Sequence, residues 1–501
     1  MIDSNAIERL STGIKGFDQV ARGGLPRGRS TLVAGTAGSG KTLFAVEFLA
    51  RGILDSGEAG VFVSFEETAE GIRRNAASLG FPIEQWERQG KWVFVDASLE
   101  VTGEEPIVGA FDFGGLVARI GHAVRQVGAA RVSVDSLGAV FVRFAEPAIV
   151  RYELYRIGSV LEQLGVTSII TSERISEYGE VSRYGVEEFV LDNVIILRNS
   201  LANRRRRRTV EIVKFRGAAH RTGEWLFTID PRDGIVFLPL AFLASDMSTS
   251  SLARVSSGNT ELDEMCGGGF FRDALVLMSG PAGSGKTLTS LTFTAAGVTG
   301  GERCVLCTFD ESRGQLARNA VGWGMDIGAM EESGLLRTMC AYPEVASVED
   351  HFLRIRRVIE EFKPSRLVVD TLSALERIAS PRTLLDFVIA LSAVARQHQC
   401  TTLLTSAPSG QSAPRLTSVS TAEITGLTDV TISLRHLETA GEIQRAIAVL
   451  QARGSARDHR IRHVTIDHNG MHIGERVYGA AHLLAYDATL PPGSEDLRSG
   501  E

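Results

Sequence analysis

Cysteine is scarce in this chain: five residues in 501, an odd number that argues against a disulfide scaffold and points to a reducing, cytoplasmic setting. Long apolar runs are missing as well. No stretch reaches the roughly 18 uninterrupted apolar residues that span a bilayer, and Met1-Ile2-Asp3-Ser4 lacks the basic and apolar pattern of a secretory leader. Neither a membrane span nor export is expected. Net positive charge is also absent: a formal charge of −7 gives no global attraction to DNA or acidic membranes. What is present, 44% hydrophobic and 23% charged residues, suits a globular chain large enough for two to four domains.

Glycine is placed with purpose. Gly35-Thr36-Ala37-Gly38-Ser39-Gly40-Lys41-Thr42 and Gly280-Pro281-Ala282-Gly283-Ser284-Gly285-Lys286-Thr287 both fit the pattern G-x-x-x-x-G-K-[ST]. In such a loop the glycines let backbone N–H groups wrap a phosphate chain. The Lys neutralises the terminal phosphates, and the last hydroxyl, here Thr42 or Thr287, ligates Mg²⁺. Each loop follows an apolar run, Ser30-Thr31-Leu32-Val33-Ala34 or Ala274-Leu275-Val276-Leu277-Met278, and precedes a helix-like one. A chance glycine-rich turn does not account for two full matches in that context, so a nucleoside triphosphate with Mg²⁺ is the expected ligand of both.

The surroundings of the loops are duplicated too. Ser11-Thr12-Gly13 with Phe17-Asp18 answers Ser256-Ser257-Gly258 with Leu262-Asp263, at the offset of 245 that separates Lys41 from Lys286. Phe65-Glu66-Glu67-Thr68 answers Phe309-Asp310-Glu311-Ser312, and Val132-Ser133-Val134-Asp135 answers Leu367-Val368-Val369-Asp370. So long a period marks a duplicated domain, since solenoid repeats run about 20–50 residues. Short β-branched strands alternating with amphipathic helices imply an α/β fold in each half, with a mostly parallel sheet covered on both faces. The expected layout is a first lobe over 1–244, a linker over 245–254, a second lobe over 255–478 and a flexible tail over 479–501. Cys304 and Cys307, though spaced as CxxC, are expected as inward side chains of a buried strand.

Asp135 and Asp370, each ending an apolar strand, are the expected Mg²⁺-holding acids. Glu66-Glu67 and Asp310-Glu311 are candidates to orient or deprotonate a nucleophile; a solvated acidic turn is the alternative, weakened by their recurrence near both loops. Lys214 and Arg216, spaced to share one face of a strand, are candidates to supply charge to a neighbouring subunit's phosphate, although spacing alone does not favour this over a surface strand with solvated charges. The run Arg204–Arg208 precedes a strand and lacks interleaved aromatics, so a solvated or ring-facing edge is expected rather than a nucleic-acid site.

With these residues assembled, the chain resembles the KaiC family of two-lobed circadian clock ATPases and autokinases in the RecA-like superfamily. The resemblance spans roughly residues 8–475. It is carried by Ser64-Phe65-Glu66-Glu67-Thr68, Tyr184-Gly185-Val186-Glu187-Glu188-Phe189-Val190, Asp263-Glu264-Met265-Cys266-Gly267-Gly268-Gly269-Phe270-Phe271 and Cys340-Ala341-Tyr342-Pro343-Glu344. It implies two tandem RecA-like P-loop NTPase domains and a double-ring homohexamer with ATP at the subunit interfaces. The first lobe would hydrolyse ATP, with Glu66 or Glu67 polarising the water and Lys214 and Arg216 reaching across the interface. The second would phosphorylate hydroxyls in Glu423-Ile424-Thr425-Gly426-Leu427-Thr428-Asp429, where Thr425 keeps the first acceptor and Gly426 has lost the second.

Other departures bear on the second lobe. Asp310 stands where the family usually has Glu, withdrawing the carboxylate by about 1.5 Å, several times the tolerance of productive catalytic geometry. Gln451 replaces the interface Lys, while Arg453 remains. The short Pro/Gly-rich tail does not resemble the one a KaiA-type activator grips, so that partner is not expected; a KaiB-like protein or a histidine kinase is the suggested one. Two alternatives stand beside this reading: a RecA- or DnaB-like motor on nucleic acid, and a scaffold with a catalytically silent second lobe.

Overall fold

The computed structural model describes residues 7–97, 113–136, 138, 146–202, 205–238, 251–407, 419–439 and 442–477. Most of the expected linker (245–250), Arg204 and the expected tail (479–501) lie outside the described residues. The chain divides into two units, Met1–Ser245 and Asp246–Glu501. Arg254, at the end of the expected linker, is already paired with Phe271 in a short strand of the second unit.

Each unit is built on a nine-stranded sheet. In the first, Trp92–Asp96, Gly60–Ser64, Arg131–Asp135, Thr167–Glu173, Ser30–Gly35 and Asn193–Ala202 run parallel in that spatial order. Arg205–Phe215, Glu224–Asp230 and Gly234–Phe237 then extend it antiparallel. In the second, Leu336–Cys340, Cys304–Thr308, Arg366–Asp370, Thr401–Ser406, Leu275–Ser279 and Val430–Thr439 are parallel. Glu442–Ala452, Arg462–Asp467 and Gly470–Arg476 complete that sheet antiparallel.

The expected mostly parallel sheet is therefore present twice, and it is covered on both faces as its continuous apolar strands require. Along Ser30–Gly35, Val33 packs into the core beneath the helix Lys41–Ser56. Its neighbours Leu32 and Ala34 face the opposite core, with the helices Phe113–Val127 and Pro147–Gln163. Cys304 and Cys307 likewise sit on one strand but on opposite faces. The Cys304 thiol donates to the Thr294 carbonyl at 3.5 Å, and the Cys307 sulfur lies 3.6 Å from that of Met339. Burial pushes the Cys304 thiol up to about 12, so it is a packed apolar group and not half of a redox pair.

One buried arginine ties each lobe together. Arg131, 2% exposed, pairs with Glu58 at 2.7 Å and donates to the carbonyls of Phe48 and Ser11 at 2.9 Å each. Arg366, 5% exposed, pairs with Glu302 and donates to Phe293 and Ser256 carbonyls at 2.9 and 2.8 Å. This explains a glycine inside each P-loop helix, a substitution that costs about 1 kcal/mol relative to Ala. A Cβ on Gly52 would meet the Arg131 Nε at 2.4 Å, and one on Gly297 would meet Arg366 at 2.6 Å. The mirrored Asp18 and Asp263 close turns: Asp18 accepts from the Thr12 backbone N–H at 3.0 Å, and Asp263 from that of Ser257 at 2.7 Å.

Two local expectations change. The arginine run does not precede a strand: Arg205–Arg208 begin the strand Arg205–Phe215, paired antiparallel with Asn193–Ala202. Arg216 falls just past the end of that strand, so it does not share a strand face with Lys214 by pleat alone. Among the described residues no helix is long and apolar enough to cross a membrane.

Candidate nucleotide sites

The strands Ser30–Gly35 and Leu275–Ser279 each run into a glycine loop that opens a helix, Lys41–Ser56 or Lys286–Thr299. Gly38, Gly40, Gly283 and Gly285 hold φ values of 71°, 96°, 74° and 107°, a region that L side chains avoid. No side chain caps either helix start, which leaves first-turn N–H groups for an anion. Inside each loop one buried hydroxyl, Ser39 or Ser284, has no partner within the protein. Uncapped N–H groups, a lysine and an orphaned hydroxyl are the donor set of a phosphate cradle, so the residues present fit a nucleotide.

The lysines lie against their own loops. Lys41 donates to the Thr36 carbonyl at 3.0 Å, and Lys286 to those of Gly280 and Pro281 at 2.6 and 2.8 Å. Burial lowers both ammonium groups, opposed at Lys41 by Asp135, Glu173, Glu66 and Glu177 and at Lys286 by Asp370 and Asp310. Opposite each loop stands the acid that ends a neighbouring strand. Thr171 donates to Asp135 and Thr405 to Asp370, and Thr287 donates to the other Asp370 oxygen at 2.8 Å. A threonine hydroxyl beside one carboxylate, with phosphate oxygens and water completing the shell, suits Mg²⁺. Among the described residues no cluster of three or more His, Cys, Asp or Glu offers an all-protein metal cage.

The acidic pairs divide their labour in the same way in both lobes. The second acid is tied to structure: Asn75 donates to Glu67 at 2.6 Å and Asn319 to Glu311 at 3.1 Å. Both are lifted above the ordinary Glu range, by burial first and then by Asp135 or Asp370. The first acid is where the lobes diverge. Glu66 faces Lys41, Glu173 and Asp135; partial burial and the two carboxylates raise it, and Lys41 opposes. Asp310 is likewise felt at Lys286 and Asp370 but is also paired with Arg377 at 3.0 Å, and the same guanidinium holds Glu344 at 2.8 Å.

Lys214 and Arg216 anchor on the segment before Asn193–Ala202, not on the Gly35–Thr42 loop. Lys214 donates to the Glu188 and Leu191 carbonyls at 3.0 and 2.8 Å, and Arg216 pairs with Asp192 at 3.0 Å. The second lobe repeats the arrangement. Gln451 donates to the Thr428 carbonyl at 3.0 Å, and Arg453 donates to the Gly426 carbonyl at 2.6 Å. Thr425, half-buried on the helix Val419–Leu427, accepts a bond from the Thr428 hydroxyl at its carbonyl, 2.9 Å away.

Several residues at these sites escape a reading of the sequence. Arg208 donates to the Gly38 carbonyl at 3.2 Å and Arg445 to that of Gly283 at 2.9 Å, so one arginine braces each phosphate loop. Part of the arginine run thus has a local task that a solvated edge does not describe. Glu173, Glu177 and Arg377 gave no signal. The two asparagines did: each stands eight positions after the acid it holds, in both repeats.

A family model described as "ATPase: KaiC" matches residues 10–241 and again 255–478. The circadian clock protein KaiC3 of Synechocystis sp. is 50% identical over 97% of this chain and 96% of its own. The circadian clock oscillator protein KaiC of Thermostichus vulcanus is 46% identical over 99% of this chain and 97% of its own. That of Synechococcus elongatus is 45% identical over 94% and 90%. Both lobes carry the phosphate cradle and its acids, and both match the family model: the chain belongs to the KaiC family of ATPases.

Proposed function

We propose that the chain is a cytoplasmic double-ring homohexamer that hydrolyses ATP in its first lobe, 1–244. Its second lobe, 255–478, transfers phosphate slowly to Thr425. The observation that carries this division is the contrast between Glu66, set among Lys41, Glu173 and Asp135, and Asp310, held by Arg377.

In the first lobe the Gly35–Thr42 backbone and Lys41 bind the phosphates, and Thr42 with Asp135 would hold Mg²⁺. The ion, when bound, neutralises charge on the phosphate oxygens. Glu66 takes a proton from the attacking water. Its raised proton affinity, which burial and its carboxylate neighbours support, suits a base working near neutrality. Glu67, fixed by Asn75, orients that water. Lys214 and Arg216 of an adjacent copy supply charge in trans, a role for which arginine fingers contribute about 10³–10⁵ in rate.

The second lobe keeps the cradle, Thr287, Asp370 and Glu311, but its first acid is one methylene shorter and paired to a guanidinium. Gln451 brings no charge, leaving Arg453 alone in the trans role. The output is a nucleotide- or phosphate-dependent surface for a protein partner, KaiB-like or a histidine kinase; the names of the relatives, circadian clock proteins, support a timing or signalling role. The Arg377–Asp310 pair also favours a second reading, a scaffold whose second ring binds ATP without transferring it.

The test incubates full-length protein with γ-labelled ATP and Mg²⁺ and follows released phosphate and protein label together. Wild type is compared with Glu66→Gln/Glu67→Gln and with Thr425→Ala. Phosphate release is expected to fall by at least about 10²-fold in the double variant, the usual reach of general-base catalysis. Label is expected to vanish in Thr425→Ala. Release abolished with no label on the wild type would select the scaffold; release that survives the double variant would refute the first-lobe assignment.

A further inference from the structure

The chain that follows the strand Thr167–Glu173 folds around one side chain. Arg174, 6% exposed, donates to the carbonyls of Glu177 at 3.0 Å, Gly179 at 3.2 Å and Glu180 at 2.8 and 3.0 Å. The Glu177 carbonyl also accepts from Arg198 Nε at 3.0 Å. The loop so fixed delivers the Glu177 carboxylate to the phosphate loop. One oxygen accepts from the Thr36 hydroxyl at 2.6 Å and the other from the Asn199 backbone N–H at 2.8 Å. Glu177 thus bridges the second residue of the cradle to the strand beside it, and its charge is felt at Lys41.

The second lobe has other residue types at these positions. Pro281 stands at the position of Thr36 and carries no hydroxyl. The register that sets Ala34 beside Ser172 and Ser279 beside Ser406 puts Pro408 at the position of Arg174. Among the described residues the bridge is found in the lobe proposed to hydrolyse ATP.

We propose that Glu177 is a positioning residue for the first-lobe ATP site: it holds the phosphate loop in its receptive conformation through Thr36 before nucleotide arrives. The proposal rests on the reading that the first lobe is the ATPase. Glu177 shapes binding rather than the chemical step, because the groups assigned to the chemistry (Glu66, Glu67, Thr42, Asp135) lie elsewhere on the loop and opposite it. A loop that loses the bridge samples more conformations and binds ATP only in a fraction of them, so its apparent affinity falls by that fraction.

The experiment measures steady-state ATP hydrolysis by full-length Glu177→Ala, Thr36→Val and the double variant across MgATP concentration. Each single change is expected to raise KM about tenfold at unchanged kcat, the size of one charge-assisted hydrogen bond. The double variant is expected to be no worse than the worse single, because both remove the same bond. Additive effects, an unchanged KM, a lowered KM or a loss confined to kcat would each overturn the proposal. A lowered KM would mean the carboxylate acts only as a negative charge against phosphate. Should Glu177→Ala fail to fold, Thr36→Val carries the test, since it breaks the bond and leaves the loop residues in place. Failure of the underlying reading has its own signature, hydrolysis that survives Glu66→Gln/Glu67→Gln.

Discussion

The two lobes share one frame and differ, among other positions, at the first acid of the pair. In both, a buried arginine on the strand that carries the Mg²⁺-side Asp clamps the P-loop helix. A second arginine braces the glycine loop and an asparagine holds the second acid. At the first acid, Glu66 sits among a lysine and two carboxylates, whereas Asp310 is neutralised by Arg377. The glycine loops, their lysines and the strand-end acids are present twice. The first acid, the proposed base, is Glu in one repeat and Asp in the other, so on the proposed reading binding can be kept while chemistry changes.

Removing the clamps tests the shared frame and gives the largest effect. Arg131→Met takes the side-chain donor from the Phe48 and Ser11 carbonyls and leaves Glu58 with Arg27 at 3.7 Å; Arg366→Met takes it from the Phe293 and Ser256 carbonyls and leaves Glu302 with Arg272 at 3.3 Å. Each buried carbonyl left without its donor costs about 1–3 kcal/mol. Each substitution should therefore lower the denaturant midpoint of its own lobe's transition by a similar amount. A large loss in one lobe beside a negligible one in the other would show that the duplicated contacts are not equivalent.

A smaller effect addresses the point of divergence. Arg377→Ala frees Asp310 and should raise Thr425 labelling about 1.4- to fivefold. The scale follows from the exposure of the pair, 48% at Arg377 and 44% at Asp310, since such pairs contribute about 0.2–1 kcal/mol. The brake is weak by that measure. If labelling is absent in both wild type and Arg377→Ala, the missing methylene of Asp310 is the cause of silence rather than its arginine.

Much of this could be read from the chain before its fold. The phosphate loops, the strand-end Asp135 and Asp370 and the acidic pairs are contiguous strings whose chemistry needs neighbours in sequence only, and duplication made each visible twice. The twice-repeated sheet also followed from short apolar strands alternating with helices. What stayed hidden depends on closures over long separations: Thr36 meets Glu177 across 141 residues and Asp310 meets Arg377 across 67. Arg208 misleads for another reason. A run of charges reads as a solvated edge, yet antiparallel pairing sets Arg208 opposite Asn199, from where it reaches Gly38. Asn75 and Asn319 were legible in principle, because the same residue type recurs at the same distance from each acid.

The smallest effect concerns proton affinity. Glu66 is raised by partial burial first and next by the Glu173 carboxylate, with Asp135 adding and Lys41 opposing. A base must be unprotonated, so first-lobe hydrolysis should fall as the pH drops through the raised range of Glu66, above the ordinary value of about 4.3. Glu173→Gln removes one of the two like charges, so the acid limb of kcat should move to lower pH, with the plateau near neutrality largely kept. The second lobe has Ala407 where Glu173 stands, and its first acid faces a guanidinium, so this lever is confined to the first lobe. An acid limb that does not move on Glu173→Gln would assign the limiting ionisation to Glu67, whose lift comes from burial and Asp135 without Glu173.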